Sequence, residues 1–171
     1  MEKEFAKIPV EELNDNVFHL IGDDWMLITA GKLDNFNTMT ASWGTMGILW
    51  HMPVAICFVR PHRHTFGFME ASDHYTLCFL EEQYRYILQF CGTRSGKNVD
   101  KIAETGLLPL TTENGNIFYQ QCKLVLECRK IYADRLNENS FIAEDLAGKN
   151  YPRKDFHKYY IGHIISCLVP V

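Results

Sequence analysis

The sequence has no excess of positive charge, and this absence disfavours one large class of partners. It contains 17 Lys and Arg residues against 21 Asp and Glu residues, so the formal net charge is -4 at pH 7. Proteins that bind DNA or RNA through the phosphates usually carry a basic surface, whereas a small anionic ligand needs only a local cationic pocket. We therefore expect no nucleic-acid partner, while small anionic ligands remain compatible with the composition.

The sequence also lacks an apolar run at its N-terminus. The first residues, MEKEFAKIPVEELND, do not resemble a signal peptide. An uncharged stretch from Asn35 to Val59 is interrupted by polar residues such as Asn37 and Ser42 and by Pro53, so it is too polar to cross a bilayer. These features predict a cytoplasmic protein that has no membrane partner.

Common nucleotide, redox and hydrolase signatures are missing as well. No GxGxxG motif follows a strand, and Gly92 to Lys97 is one residue too short for a phosphate loop. The six cysteines form no CxxC pair and are predicted to be buried in a reducing compartment. His62 and His64 lack a third ligand, and no Ser-His-Asp order is present. We expect no metal site and no catalytic triad. Three isolated carboxylates are expected at the surface: Glu70, Asp73 and Glu127.

The composition predicts one globular domain over residues 1–171, because 47% of the residues are hydrophobic. Runs of β-branched and aromatic residues predict strands at Asn16 to Ile21, Trp25 to Ala30, Phe36 to Ser42, Val54 to Arg60, Tyr75 to Leu80, Ile117 to Tyr119, Leu124 to Tyr132 and Tyr160 to Val169. Helices are predicted at Thr65 to Ala71, Glu82 to Cys91 and Asp100 to Thr105. The helices do not alternate regularly with the strands, which favours a mainly β fold with helices (α+β) and an antiparallel barrel.

The uncharged stretch has the character of a ligand site. Phe36 to Ser42 is predicted as a strand, and Trp43 to Gly47 is predicted to break the strand into a loop. A strand that ends in small polar groups and a Trp flanked by glycine allows a planar ligand to approach the backbone closely.

Two segments with cationic side chains follow this stretch. Arg60-Pro61-His62-Arg63-His64-Thr65 offers two guanidinium groups, a hydroxyl and the amides of a starting helix, either as a cradle for a monophosphate or as a solvated strand end. Arg94, Lys97 and Lys101 lie in or just after a loop that contains glycine, which fits either a phosphate contact or an ordinary turn between helices. The residues alone leave both alternatives open.

Four blocks, in order, resemble the flavin reductase-like family, whose members have the FMN-binding split-barrel fold. The blocks are Asn37 to Trp43, Arg60 to Thr65, Cys91 to Lys101 and Tyr159 to Gly162. They span nearly the whole chain, and within the family the chain looks most like the flavoredoxin-type branch. The resemblance implies an antiparallel split β-barrel of Greek-key type.

The resemblance also implies an activity. FMN is the expected cofactor, NADH or NADPH the expected electron donor, and a homodimer with one FMN per subunit the expected assembly. Hydride would pass from the nicotinamide to FMN and electrons then to an acceptor, without a catalytic side chain, because the flavin carries the chemistry. The alternative is a flavoredoxin-like carrier that is not catalytic and only moves electrons between protein partners.

The family pattern transfers binding roles to particular residues. Strand residues would contact the ring and the ribityl chain, and cationic and hydroxyl residues would contact the phosphate. Two residues that precede the last strand would lie towards the flavin. The residues are Asn37, Thr38, Met39, Thr40, Ala41, Ser42, Trp43, Arg60, Arg63, Thr65, Ser95, Lys101, His157 and Tyr159. The chain departs from the family at His163, where Glu is common, and at His64, where Tyr is frequent.

Two expectations concern aromatic residues. Trp43 is predicted to pack against the flavin ring, and the alternative is a core residue that happens to follow a strand. A second subunit is expected to complete the flavin site, because one barrel alone leaves the flavin open to water. The wall that each subunit supplies to its neighbour is expected at Ile48 to Trp50 and Phe156 to Tyr160.

Overall fold

The computed structural model describes residues 3–171, which form ten strands, five short α-helices and several single turns of helix. The strands are β1 (Phe5–Ile8), β2 (Met26–Lys32), β3 (Asn35–Ala41), β4 (Gly44–Leu49), β5 (Met52–Val59), β6 (His74–Leu80), β7 (Pro109–Thr111), β8 (Ile117–Tyr119), β9 (Cys122–Arg135) and β10 (Lys158–Pro170). The helices are α1 (Val17–His19), α2 (Thr65–Ala71), α3 (Arg85–Thr93), α4 (Lys101–Thr105) and α5 (Glu144–Asn150). A π-helical turn, Leu20–Asp24, continues α1.

Eight strands form one antiparallel sheet in the order β3, β2, β6, β9, β10, β5, β4, and β1 pairs with β10. β7 and β8 form a separate hairpin. β3 pairs only with β2 and β4 only with β5 among the described strands, so the barrel is left open between β3 and β4. This opening matters for function because it leaves backbone hydrogen-bonding groups of β3 free for other partners.

Most of the predicted elements are confirmed, with ends that shift by a few residues. α2 has the predicted bounds, and α4 is capped by the Asp100 side chain and by Gly106 in the left-handed conformation with φ of 70°. The Glu82 to Cys91 prediction corresponds to a 3-10 turn followed by α3. No helix in residues 3–171 is long and apolar enough to cross a membrane.

The strand predicted at Asn16 to Ile21 is wrong, because this segment is helical. The Asn16 side chain accepts hydrogen bonds from the backbone N–H groups of Phe18 and His19, at 3.0 and 3.3 Å. Such a cap satisfies amides that a helix start leaves unpaired. Val17 and Ile21, four residues apart, both pack on the core, which is the spacing of one helix face.

The loop predicted at Trp43 to Gly47 is also wrong, because Gly44–Leu49 forms strand β4. A Cβ atom on Gly44 would lie 2.8 Å from the carbonyl oxygen of Ile56, so this glycine permits close approach to β5 and does not mark a turn. The turn comes later, at Trp50 and His51, whose φ angles are 50° and 60°.

Glu127 is buried, against the prediction that it lies at the surface, and only 1% of its surface is exposed. The Thr112 hydroxyl and the Asn116 amide each donate a hydrogen bond of 2.6 Å to one carboxylate oxygen, and the Asn114 amide donates one of 3.3 Å to the other. These donors come from the segment between β7 and β8 and fix it to β9. The donors lie 11 to 15 residues before Glu127 in the sequence, and no local pattern indicates that they meet its carboxylate.

The core lies on both sides of the sheet, and all six cysteines belong to it, as predicted. One contact in the core is unusually close. The Tyr75 hydroxyl lies directly against Gly162, where an added Cβ would come within 2.4 Å of that oxygen and 2.7 Å of Cβ of Cys128. Because Gly162 in β10 has no side chain, it leaves room for the hydroxyl end of the buried Tyr75 side chain.

Candidate functional site

Two cavities lie side by side beyond the free edge of β3. The first, which we name the strand-end cavity, has a volume of about 170 Å³ and is lined by Met39, Thr40, Ala41, Ser42, Trp43, Phe58, Arg60, Arg63 and His157. The second, the loop cavity, has a volume of about 250 Å³ and is lined by residues 62–65, residues 92–96 and Lys101. Arg63 lines both, so the two cavities are neighbours that share this side chain. The structure thus brings together the two cationic segments that the sequence places about thirty residues apart.

Two cations meet at the loop cavity without a carboxylate partner. The Lys101 side chain is 5% exposed and donates hydrogen bonds to the carbonyl oxygens of Thr38 and Cys91, at 2.7 and 3.1 Å. The Arg63 guanidinium donates to the same Cys91 carbonyl at 3.3 Å. No carboxylate whose position the structure describes forms an ion pair with either side chain. Buried charges are normally paired, so this arrangement is suited to an external anion.

Burial has a direct electrostatic consequence for these groups. It lowers the pKa of Lys101 from 10.5 to about 8; the Cys91 thiol opposes this shift and the Arg63 cation adds to it. Burial also lowers the pKa of Arg63, although a guanidinium stays charged at neutral pH. A bound dianion would favour the charged form of the amine and raise the pKa of Lys101 again.

The polar groups around the cations are held in place by packing. The Asn37 amide donates a 2.8 Å hydrogen bond to the buried Thr65 hydroxyl. A Cβ on Gly96 would come within 2.0 Å of the Asn37 side-chain oxygen, so the loop can approach β3 only with glycine there. The exposed Ser95 hydroxyl accepts a hydrogen bond from the Lys97 N–H at 3.3 Å.

The free edge of β3 presents backbone groups rather than side chains. Thr38 and Met39 turn their side chains into the core, where the Thr38 hydroxyl donates to the Ile28 carbonyl at 3.3 Å. The Thr38 carbonyl points to the free edge, because Lys101 donates to it. N–H and C=O groups of alternate strand residues share one side, so those of Thr40 point to this edge too. The Thr40 hydroxyl donates to the Leu88 carbonyl at 2.6 Å.

His157 forms an aromatic wall of the strand-end cavity. Its ring lies 5.2 Å from the Trp43 ring, and its Nδ1 atom is 2.8 Å from the Tyr151 hydroxyl. Burial, helped by the nearby Arg60 cation, lowers the pKa of His157 to about 4, so the imidazole is neutral at pH 7. The wall therefore adds no charge to the cavity.

Trp43 is 45% exposed, so the interpretation of Trp43 as a core residue is wrong. It stands at the border between the strand-end cavity and a further one, the side cavity, of about 480 Å³. The side cavity is lined by Val17, Phe18, Ile21, Gly22, Ser42, Trp43, Gly44, Phe58, Leu136 and Tyr151. This cavity was not predicted, because a strand at Asn16 to Ile21 would not place that segment opposite Trp43, whereas the helix that forms there does.

Two of the predicted site residues are engaged elsewhere. Arg60 reaches the strand-end cavity, but its guanidinium pairs with Asp155 at 2.6 Å and donates to the Asn150 carbonyl at 3.0 Å. Tyr159 lines neither the strand-end cavity nor the loop cavity and packs against Tyr132 and Phe58, with ring centroids 6.1 and 6.2 Å apart. The remaining predicted residues line the two cavities or, as Asn37 and Thr38 do, brace residues that line them.

The largest cavity, about 650 Å³, lies behind Lys101 and is lined by residues 33–38, residues 96–102 and Pro109. It is larger than the pair described above, but its lining includes neither Arg63 nor the rings of Trp43 and His157. The residues that the structure describes contain no group of three His, Cys, Asp or Glu side chains that could hold a metal ion.

Comparisons with solved structures show which fold the chain shares. The FMN-binding domain of a flavin reductases-like enzyme from Shewanella baltica is 15% identical, with a TM-score of 0.71 over 99% of this chain and 78% of that one. An FMN-binding protein from Thermus thermophilus with bound 1-cyclohex-2-enone is 15% identical, with a TM-score of 0.66 over 95% and 79%. Flavoredoxin from Methanosarcina acetivorans is 20% identical, with a TM-score of 0.65 over 94% and 75%.

The likeness to these structures confirms the predicted α+β split-barrel fold. No curated protein matches the chain. The decisive sequence finding is a family model, described as the flavin reductase like domain, which matches residues 19–167 and so covers most of the chain. The chain therefore belongs to the flavin reductase-like family.

Proposed function

We propose that this protein binds FMN across the strand-end and loop cavities and transfers hydride from NADH or NADPH to it, before electrons pass to an acceptor. The observation that carries the proposal is a pair of cations, the buried Lys101 and the half-buried Arg63, whose described partners are backbone carbonyls alone. A phosphate monoester would supply the missing negative charge, and the adjoining cavity has the aromatic walls that a flavin ring needs.

The residues present fit the cofactor, which would supply the capacity to accept hydride. Arg63 and Lys101 would hold the phosphate together with Thr65 and Ser95, all of which line the loop cavity. The free edge of β3 would offer the Thr40 amide and carbonyl to the polar edge of the ring. Trp43 and the neutral His157 would form its wall.

The protein's own contribution would be positioning. His157 is uncharged at pH 7 because of its low pKa, so it can pack on an uncharged ring without adding charge. No described residue in the strand-end cavity forms a nucleophile-base pair, and hydride transfer between two aligned rings does not require one. Binding energy at the phosphate would orient the reactive ring at the other end of the site.

We expect riboflavin to separate the phosphate contact from the ring contact. Replacing Arg63 by Ala should remove a charge-assisted hydrogen bond worth about 1.5 to 3 kcal/mol and weaken FMN binding by roughly one to two orders of magnitude. Riboflavin binding should change little, because it has no phosphate. Titration calorimetry measures both, and equal losses for the two flavins would show that Arg63 does not contact the phosphate.

A second subunit is part of the proposal. Trp43 borders the proposed flavin site, and Trp43, Ile48 and Trp50 are 45%, 70% and 61% exposed, an apolar surface of the kind that a partner subunit covers. We propose a homodimer in which these residues face the partner. Light scattering on the FMN-loaded protein should give twice the mass of one chain, and a monomeric mass at full FMN occupancy would contradict the dimer.

The activity itself is tested by colour. The purified protein should be yellow or become yellow with FMN, and NADH or NADPH should bleach it under anaerobic conditions. Bleaching by dithionite but by neither nicotinamide nucleotide would favour the alternative, an electron carrier that is reduced by a protein partner. Absence of FMN binding would contradict both.

A further inference from the structure

Tyr151 contacts the imidazole of His157 from outside the strand-end cavity. Its hydroxyl lies 2.8 Å from Nδ1 of His157, and the two rings meet edge to face, with centroids 5.5 Å apart. His157 lines the strand-end cavity, whereas Tyr151 does not. The Nδ1 edge of the imidazole is therefore turned away from the cavity, and Nε2 is the ring nitrogen that is left for a ligand there.

The Tyr151 ring is held in place by its neighbours. The residue is 7% exposed, the Arg60 guanidinium lies 5.2 Å from its ring centroid, and the Phe156 ring lies 4.8 Å away. Arg60 is itself fixed by its ion pair with Asp155 and its hydrogen bond to the Asn150 carbonyl. Arg60 therefore contributes to the site by packing on Tyr151, although its own charge is paired.

The chemistry of the two groups decides which of them donates. His157 is neutral at pH 7, because burial and, to a smaller extent, the Arg60 cation lower its pKa to about 4, so only one ring nitrogen carries a proton. If that nitrogen were Nδ1, the Tyr151 hydroxyl would accept, and its own buried proton would have no described acceptor. If the hydroxyl donates, both groups are satisfied and the imidazole proton lies on Nε2.

We infer that Tyr151 is a positioning residue: its hydroxyl donates a hydrogen bond to Nδ1 of His157 and so fixes the tautomer whose Nε2–H group faces the strand-end cavity. No described residue forms a hydrogen bond with Nε2, which leaves this donor to a ligand. A hydrogen bond to one nitrogen is the usual way in which a protein sets the role of the other. The tautomer follows from the chain alone, whereas the ligand of the donor rests on the proposed function.

The proposed function gives the donor a partner and an effect. A flavin ring in the strand-end cavity would present carbonyl oxygens as acceptors. Hydride carries two electrons and one proton, so a ring that accepts it gains one negative charge, and a donor already in place favours the charged ring over the neutral one. Tyr151 would therefore strengthen the binding of reduced FMN more than that of oxidised FMN, which raises the midpoint potential of the bound cofactor.

The tautomer is measured in the protein without FMN. Two-bond ¹H–¹⁵N correlation spectra distinguish a protonated ring nitrogen from an unprotonated one, and the His157 signals are the set that His157→Gln lacks. At pH 7 we expect the proton on Nε2 alone in the parent and both tautomers in exchange in Tyr151→Phe. A proton on Nδ1 in the parent, which needs no variant, or equal tautomer ratios in parent and Tyr151→Phe would overturn the inference.

The midpoint potential of bound FMN is the second measurement. Tyr151→Phe should lower the ratio of the affinities for reduced and oxidised FMN about tenfold, which for two electrons is a fall of about 30 mV. Tyr160→Phe is the matched control, because the buried Tyr160 also loses one hydroxyl hydrogen bond, of 2.7 Å to Glu70, and lines none of the cavities described above. The control should keep the potential of the parent, and an unchanged potential in Tyr151→Phe would overturn the effect on the flavin.

The two measurements separate this inference from the proposed function. If Nε2 carries the proton and FMN does not bind, the role of Tyr151 in fixing the tautomer is confirmed and the proposed function is wrong. If FMN binds and a nicotinamide nucleotide reduces it while Nδ1 carries the proton, the proposed function is confirmed and this inference is wrong.

Discussion

Replacing Lys101 by Met is expected to weaken FMN binding by about two to three orders of magnitude. The ammonium is almost completely buried, so a phosphate held by it would make a desolvated, charge-assisted contact, and truncating one partner of such a pair costs about 2 to 5 kcal/mol. Calorimetry measures the loss. Lys97→Met is the matched control, because Lys97 is exposed and does not line the loop cavity, and it should bind FMN like the parent.

The same lysine should make FMN binding depend on pH. With a pKa of about 8, Lys101 in the free protein loses its proton above pH 8, and only the protonated form offers the charge. The apparent affinity should therefore fall up to about tenfold per pH unit above pH 8. Lys101→Met should show no such fall. A parent protein whose FMN affinity is constant from pH 7 to 9.5 would contradict the role of Lys101.

Stability without FMN should change in the opposite direction. The unfolded chain keeps its proton up to the ordinary lysine pKa of 10.5, whereas the folded protein loses it near 8. Between these values the unfolded state binds more protons, so the free energy of unfolding gains a contribution that rises with pH. Comparing urea unfolding of parent and Lys101→Met at pH 7.5 and 9.5 isolates this contribution, because the other titrating groups are common to both.

Gly162→Ala is expected to destabilise the fold by about 3 kcal/mol or more. Its methyl group would lie 2.4 Å from the Tyr75 hydroxyl and 2.7 Å from Cβ of Cys128, and both neighbours are buried. Overpacking a core by one methyl group typically costs 1 to 3 kcal/mol, and here β5 and β9 hold the β10 backbone on two sides. Urea unfolding measures the change.

The control for this substitution is another glycine. Gly148 in α5 has no atom within 4 Å of a built Cβ, so Gly148→Ala should leave stability unchanged or raise it by about 0.5 to 1 kcal/mol. If Gly162→Ala instead stays within about 1 kcal/mol of the parent, the core relaxes around Tyr75 more easily than close packing allows.

The sequence predicted the fold well where pattern and packing agree. The alternating strands and α4, with its Asp100 and Gly106 caps, are confirmed because local signals and tertiary contacts point the same way. The predictions were wrong where one residue type is compatible with two local structures. Asn16 was taken as the first residue of a strand and is a helix cap, and Gly44 was taken as a loop residue and is a contact point between two strands.

The candidate site was predictable in its chemistry and only partly in its geometry. The cationic blocks around Arg63 and Lys101 were found from residue types, and the structure joins them at the Cys91 carbonyl. That Arg60 pairs with Asp155 depends on contacts nearly a hundred positions apart along the chain, which no local pattern contains. The side cavity was missed because Asn16 to Ile21 was predicted as a strand and is helical.

The buried cysteines can report local unfolding of the elements in which they lie. They lie at Cys57 in β5, Cys78 in β6, Cys91 in α3, Cys122 and Cys128 in β9, and Cys167 in β10. Burial raises the pKa of Cys57 to about 12 and that of Cys91 to about 11, so these two side chains offer almost no thiolate to an alkylating reagent in the folded chain. Each thiol becomes reactive only when its own element opens, so the six labelling rates, read by peptide mass, rank the local stability of the barrel strand by strand.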